Sequence, residues 1–266
     1  MDRPVEHQTI GSGSMLTVSR GLSVLKAFQS RLDPLGNAEI VRRTGIPKAA
    51  VSRITSTLIQ LGYLKRVPGS RLFQLGIMPL AVGQAYLDAT KMLKAVEPFM
   101  QPLADELSTT TALAIPYDLD MLYVAYFNSP NIATLTMGLG SVLPMAQTSV
   151  GYTYLWSLSA SAREAMFARI RARDGAKAKY RIKRILDAIK SLDENGYCMA
   201  ISDWQPDVYG TSVPVHLGKS KTLMSFSCGA VLHGVNEEYI RKNIIPRLKS
   251  VALAMQKATA ELDFAP

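Results

Sequence analysis

Between Asn37 and Leu75 the chain alternates helix-forming stretches with residues that stop them, and this punctuation limits the fold more than any other feature. Asn37 suits a helix N-cap, Ile40 and Val41 face inward from a short helix, and Gly45 follows Thr44 where a left-handed residue lets the chain turn sharply. Pro47 suits the first position of a further helix, because its fixed φ is already helical and its missing N–H would have no partner there. That helix carries Val51, Ile54, Leu58 and Leu61 on one face until Gly62 stops it. Upstream, Val18, Leu22, Leu25 and Phe28 recur at spacings of four, three and three, the inward stripe of an amphipathic helix ending before Asp33-Pro34. Downstream, Leu64 to Val67 and Arg71 to Leu75 read as strands around the turn Pro68-Gly69-Ser70. Three helices and a hairpin in this order make a winged helix-turn-helix, with Val41, Gly45, Ile46, Val51 and Ile54 where two helices must pack at a steep angle.

The distribution of charge agrees. The 266 residues carry a net charge of +9. Between Met15 and Gly76 ten Lys and Arg face only Asp33 and Glu39, so 10 − 2 = +8 sits in that stretch and 9 − 8 = +1 is left for the rest. Such asymmetry is the electrostatic footprint of a DNA-binding module joined to something else. With the inner face of the third helix fixed, Lys48, Ala49, Ser52, Arg53 and Ser56 point outward from its N-terminal part and are the candidates for the major groove of double-stranded operator DNA. Arg53, able to donate twice to a guanine edge, is the expected base reader. Arg42, Arg43, Lys65, Arg66 and Arg71 flank that helix and are expected on phosphates, giving affinity and salt dependence rather than sequence information.

A chain of this length holds about two domains. The expected division is a loose arm over 1–14, the winged helix-turn-helix over 15–76, a linker helix over 77–94, and a larger α+β domain over 95–266. In the last, Pro98 and Pro102 punctuate the chain before a helix through Leu103 and Leu107. Strands are expected over 111–116, 121–127, 133–137, 210–216 and 223–231, and helices over 149–158, 162–170, 182–193 and from Asn236, with a kink at Pro246. No apolar run approaches the ~20 residues of a membrane span, and the N-terminal stretch lacks the pattern of a secretory signal, so a cytoplasmic protein with no membrane partner is expected. Cys198 and Cys228 are too few for a disulfide framework and read as reduced thiols. His7, His216 and His233 each stand alone, Gly138-Leu139-Gly140 lacks the third glycine of a dinucleotide site, and neither a catalytic constellation, a metal nor a cofactor is expected.

The stretch Val18 to Gly76, with GNAEIVRRTGIPKAAVSRITSTLIQLGYLKRVPGSRLFQLG, resembles the DNA-binding domain of the isocitrate lyase regulator (IclR) family of bacterial transcription factors. GSVLPMAQTSVGYTYL at Gly140 to Leu155, ENGYCMAISDWQPDVYGTSVPV at Glu194 to Val215 and LMSFSCG at Leu223 to Gly229 are similar to successive segments of that family's C-terminal domain. The resemblance implies a GAF-like α/β effector-binding domain, a homodimer or dimer-of-dimers, a palindromic operator, and a small organic or aromatic acid as effector. It places effector contacts at Thr148, Ser149, Val150 and Gly151, where a helix N-terminus favours a carboxylate, and at Asp203, Ser225 and Ser227. Trp204 and Tyr209 are candidates for stacking on an aromatic ligand. The sequence departs from the family pattern at Ala146, Tyr152, Asp207 and Gly210, where histidine, lysine, glycine and cysteine respectively are common.

Two other classes of function compete. An enzyme of unknown reaction would not show salt-sensitive binding to promoter DNA. A ligand-free DNA-binding protein whose C-terminal part only dimerises would leave most of the 190 residues after Gly76 (266 − 76) without a task, and would show no ligand-dependent shift in melting.

Overall fold

The computed structural model describes residues 15–29, 33–130, 137–232 and 235–263. The chain divides into two compact units, Met1–Ala89 and Thr90–Pro266. In the first, α1 (Leu16–Lys26), α2 (Asn37–Thr44) and α3 (Lys48–Gln60) precede a hairpin of β1 (Leu64–Arg66) and β2 (Phe73–Leu75), and α4 (Met78–Ala89) closes the unit. The hairpin pairs Leu64 with Leu75 in antiparallel register, and Leu35 adds a single bridge to Phe73, which ties the wing to the start of α2. Val24, Phe28, Leu35, Ile40, Ile46, Val51, Leu58, Leu64 and Phe73 form one core. This is the winged helix-turn-helix expected from the sequence.

Three local expectations are corrected. Asn37 is the first helical residue of α2, and Gly36 takes the cap position without a side-chain bond. The inward face of α1 is Ser23, Val24, Ala27 and Phe28, whereas Val18 and Leu22 are each 54% exposed. A spacing of four and three identifies a stripe, but the helices packed against it decide which stripe turns inward. The linker is shorter than the expected run over 77–94, because α4 ends at Ala89 and a new helix begins at Met92.

The second unit is built on a six-stranded antiparallel sheet in the order β5-β4-β3-β8-β7-β6, with β3 (Thr110–Tyr117), β4 (Asp120–Asn128), β5 (Val142–Pro144), β6 (Cys198–Ile201), β7 (Val208–Leu217) and β8 (Thr222–Val231). Residues alternate across it, since successive side chains of a strand face opposite sides. Met224, Phe226, Cys228 and Ala230 of β8 join Val213 and Val215 of β7 in a core shared with α5 (Met92–Leu107) and α10 (Ile245–Thr259). Ala112, Ala114, Met121 and Tyr123 face the other side, covered by α6 (Ser149–Ser157), α7 (Ala160–Asp174) and α8 (Ala178–Asn195). Helices on both faces of one sheet make the α+β, GAF-like arrangement.

Pro98 and Pro102 lie inside α5 rather than before it. Both are exposed, one turn apart on the solvent face, where the carbonyls they free can meet water. The opposite face buries Met92, Val96, Met100 and Leu103, and that burial offsets the lost helix bonds. Pro246 produces a widened turn: α9 (Glu237–Tyr239) passes through a π-helical turn at Ile240–Ile244 into α10, and Pro246 occupies the first turn of α10. Asn236 caps this run, accepting from the Tyr239 N–H at 2.8 Å. The strand expected over 133–137 falls largely on 131–136, outside the described residues.

Candidate functional site

Two regions carry the chemistry. In the first unit, Gly45 adopts φ 66°, its N–H donates to the Val41 carbonyl at 2.8 Å, and α3 starts just beyond. The buried Thr44 hydroxyl donates to the Ile40 carbonyl at 2.7 Å and accepts from the Ile46 N–H at 3.3 Å, which fixes the exit from α2. Val51, Thr55 and Leu58 hold α3 in the core. Lys48, Ala49, Ser52, Arg53 and Ser56 then share its exposed side, as the sequence led us to expect. Ser56 donates to the Ser52 carbonyl at 3.0 Å, while the Arg53 and Lys48 side chains make no hydrogen bond among the described residues. Lys65, Arg66 and Arg71 are exposed on the hairpin, with the Arg66 guanidinium 5.3 Å from the Phe73 ring centre.

The flanking cations of α2 are not equivalent. Arg42 is exposed and forks onto Glu39, Nε to Oε2 at 2.7 Å and a terminal nitrogen to Oε1 at 2.6 Å. Arg43, expected on a phosphate, is instead 3% exposed. Its Nε donates to Glu39 Oε1 at 2.6 Å and its Nη1 to the Ala27 carbonyl at 2.8 Å, so it clamps α2 to the end of α1. Bonds from Arg42 and then Arg43 hold the Glu39 carboxyl down at about 2.

In the second unit a pocket opens between the sheet and the N-terminus of α6. Thr110, Tyr123, Gln147, Ser149, Trp204, Gly210 and Ser227 are among its lining residues, with Met137, Leu143, Thr148 and Val150. Thr148 stands at the cap position of α6, but its hydroxyl donates to the Pro144 carbonyl at 2.9 Å and caps no helical N–H. The first-turn N–H groups of α6 therefore receive no side-chain cap, the arrangement that attracts an anion. The Ser212 hydroxyl donates to the Ser149 carbonyl at 2.7 Å and the Ser225 hydroxyl to the Val150 carbonyl at 2.8 Å, seating α6 on β7 and β8.

Of the residues expected on the effector, Thr148, Ser149, Val150 and Ser227 line this pocket. Gly151, Asp203 and Ser225 are not among the lining residues. Gly151 has a packing role: a Cβ there would lie 2.0 Å from the Met145 carbonyl oxygen. Ser225 shares a face of β8 with Ser227, but its hydroxyl is spent on Val150. The Asp203 carboxylate accepts two bonds from Arg184 at 2.9 and 3.0 Å and one from the Tyr152 hydroxyl at 3.1 Å. Burial first, and then Asp203, push the Tyr152 phenol up, so it stays a donor.

Two departures from the family pattern now have a physical basis. Asp207 holds φ 58°, the left-handed region where glycine is usual and aspartate is tolerated. At Gly210 a Cβ would come within 2.9 Å of Ser149 Oγ, so the absent side chain keeps that hydroxyl open to the pocket. Trp204 and Tyr209 both line the cavity. Tyr123 and Gln147 were missed by the sequence reading. The alternation of β4 carried the signal for Tyr123, which follows buried Met121 by two, and Gln147 immediately precedes the expected Thr148. Burial, with Tyr126 stacked alongside at 5.8 Å, pushes the Tyr123 phenol up. Both cysteines are buried, and burial pushes the Cys198 thiol up to about 11, far from a reactive thiolate. Among the described residues no group of three or more His, Cys, Asp or Glu is placed to hold a metal ion, and no helix is long and apolar enough to cross a membrane.

A winged helix-turn-helix with a free polar recognition face, followed by an α/β unit with a pocket at a helix N-terminus, defines a DNA-binding transcriptional regulator with an effector-binding domain. The model of the IclR helix-turn-helix domain matches residues 17–68, and that of the bacterial transcriptional regulator IclR C-terminal domain matches residues 84–257. The chain belongs to the IclR family. The HTH-type transcriptional regulator TsaQ1/TsaQ2 of Comamonas testosteroni is 28% identical over 258 residues, covering 95% of this chain and 91% of that protein. The crystal structure of an IclR family transcriptional regulator from Brucella abortus matches with a TM-score of 0.84 at 32% identity, over 97% of this chain and 98% of that one. An IclR homologue from Microbacterium hydrocarbonoxydans, crystallised with 4-hydroxybenzoate, shares the fold at 17% identity and a TM-score of 0.66, over 91% and 98% of the two chains.

Proposed function

We propose that the chain is a cytoplasmic, homo-oligomeric regulator, without enzymatic activity, whose hold on its operator is set by a small aromatic carboxylic acid bound at the N-terminus of α6. The observation that carries this reading is the pocket: an uncapped helix N-terminus beside Ser149 and Ser227 at a polar end, with Tyr123, Met137, Leu143 and Trp204 as apolar and aromatic wall. An aromatic acid has both halves, a carboxylate for the helix terminus and a ring for the wall. The hydroxybenzoate held by the Microbacterium protein is of that class. On the DNA side, α3 enters the major groove with Arg53 reading a base, while Arg42, Lys65, Arg66 and Arg71 sit on phosphates. Calorimetric titration of the full chain with aromatic acids tests the effector reading. Saturable binding that changes operator affinity is expected, and no binding by any of them would reject it.

Oligomer formation is supported by a separate observation. Among the described residues of its unit the α4 helix has no buried residue, and Ile77 and Leu80 are 69% and 65% exposed, with Val82 and Tyr86 also open. Met15, Leu16, Val18 and Leu22 at α1 belong to the same unit and are likewise exposed. A helix this apolar needs a covering surface in water, and a second copy supplies it. Leu80→Glu with Val82→Glu is expected to shift the sedimenting species to monomer, and an unchanged oligomer would place the interface elsewhere.

A further inference from the structure

Among the described residues the lining of the pocket contains no charged side chain, yet the Arg181 guanidinium bonds the lining residue Gln147. One terminal nitrogen of Arg181 lies 3.0 Å from the Gln147 side-chain oxygen. A guanidinium only donates, so the carboxamide must turn its oxygen toward Arg181 and its NH2 away. Arg181 is itself fixed by Asp174 at 2.5 Å. Asp174 also accepts from Arg173 Nε at 3.1 Å, and Arg173 reaches the Leu119 carbonyl at 3.0 Å and Asp120 at 3.3 Å. All three of these α7 and α8 side chains are largely buried, Arg181 17%, Arg173 14% and Asp174 6% exposed. Flipping the Gln147 amide would set N–H against N–H within this rigid group, so its polarity is locked. Its Nε2 makes no hydrogen bond among the described residues.

A second group points the same way. Ser149 is 3% exposed, lines the pocket, and its hydroxyl has no partner among the described residues. Together with the uncapped first turn of α6 it gives the polar end its donors, and the Asp203 carboxylate is taken by Arg184 and Tyr152.

We propose that Gln147, held as an obligate donor by Arg181, is a specificity-determining residue that makes the pocket accept a carboxylate and reject the corresponding carboxamide. This rests on the effector reading above. A carboxylate is acceptor-only and meets every donor. A carboxamide has one acceptor oxygen for these donors, and its NH2 bonds where a hydroxyl such as that of Ser149 accepts but sets N–H against N–H at Gln147 Nε2 or at a helical N–H.

The test uses full-length protein and isosteric pairs, benzoate with benzamide and 4-hydroxybenzoate with 4-hydroxybenzamide, titrated by calorimetry. Wild type is expected to prefer each acid that binds by about 10–100-fold, the worth of a hydrogen bond to a charged group. In Gln147→Glu the new carboxylate pairs with Arg181 and meets the ligand as a like charge, so acid affinity is expected to fall by at least about tenfold with the melting temperature retained. In Arg181→Met the amide is free to rotate, and the acid-to-amide ratio is expected to shrink by about tenfold while both ligands still bind. Equal acid binding by wild type and Gln147→Glu would overturn the role of Gln147, and an unchanged ratio in Arg181→Met would overturn its locking. If neither these acids nor any other aromatic carboxylic acid binds wild type, both this inference and the aromatic-acid effector reading beneath it are overturned.

Discussion

Replacing Arg43 by alanine separates a structural clamp from a DNA contact. The side chain is almost wholly buried, bonded to Glu39 and to the carbonyl of Ala27, which is itself buried. Losing a charge-assisted hydrogen bond inside the protein costs roughly 1.5–3 kcal/mol. Removing two buried methylenes costs about 1.6 kcal/mol more. Side-chain entropy regained by the chain returns up to about 2 kcal/mol. The net loss is about 2–4 kcal/mol, a large part of the roughly 3–9 kcal/mol available to a domain of about 60 residues. Hydrogen exchange read by mass spectrometry on full-length protein gives the assay. Amides of α1 and α2 are expected to exchange about a hundredfold faster in Arg43→Ala, since every 1.4 kcal/mol is tenfold. The slope of log affinity for DNA against log salt is expected to stay as in wild type, because no phosphate contact is lost. Unchanged exchange together with a slope smaller by about one would refute the clamp and return Arg43 to the DNA backbone.

Arg53→Ala is expected to weaken operator binding by about 1–3 kcal/mol while leaving random DNA nearly unaffected, measured by anisotropy on both duplexes; equal losses would remove it as the base reader. Ser227→Ala is expected to weaken effector binding directly, whereas Ser225→Ala frees the Val150 carbonyl and costs about 1 kcal/mol of stability, so calorimetric titration and thermal melting should separate the two. Gly210→Ala brings a Cβ against Ser149 Oγ and is expected to lower effector affinity without loss of DNA binding, measured by the same titration. Glu39 is held at about 2 against an ordinary 4.5, so its contribution to stability is complete above 4.5 and is lost as pH falls toward 2. Glu39→Gln should flatten the acid limb of the unfolding curve in that window; an identical limb would contradict the pairing.

The helix-turn-helix was legible because its signals are local: Gly45 and Pro47 act on their own backbone, and spacing placed Val51 and Leu58 on the inner face of α3, although Leu61, expected there too, is 58% exposed and Thr55 is buried instead. The orientation of α1 was not, because exposed Val18 and Leu22 look the same in sequence as core residues, and the choice depends on the partners of α1. Arg43 illustrates a second limit. Its residue type suggested phosphate, while the Glu39 four residues earlier was the available sign of an internal pair. Subtraction of charge hid a further feature, since residues 163–190 hold ten basic and three acidic side chains, so 10 − 3 = +7 there and 9 − 8 − 7 = −6 elsewhere. Arg173, Arg181 and Arg184 within it turn toward Asp120, Asp174 and Asp203 instead of solvent. The strands β5 and β6, three and four residues long, are too short for alternation to declare them. Of the residues that the motifs singled out, Ser149 and Ser227 line the pocket, whereas Asp203 and Ser225 are not among its lining residues and bond Arg184 and Val150, pairings that no motif announces.

The most direct measurement is fluorescence anisotropy of full-length protein on labelled DNA from upstream of its own gene, against a scrambled duplex, across a salt series with and without aromatic carboxylic acids. Tight, salt-sensitive binding that prefers the upstream sequence and shifts with one of the acids is the predicted result. Equal binding to both duplexes at every salt concentration, unmoved by any acid, would contradict the account.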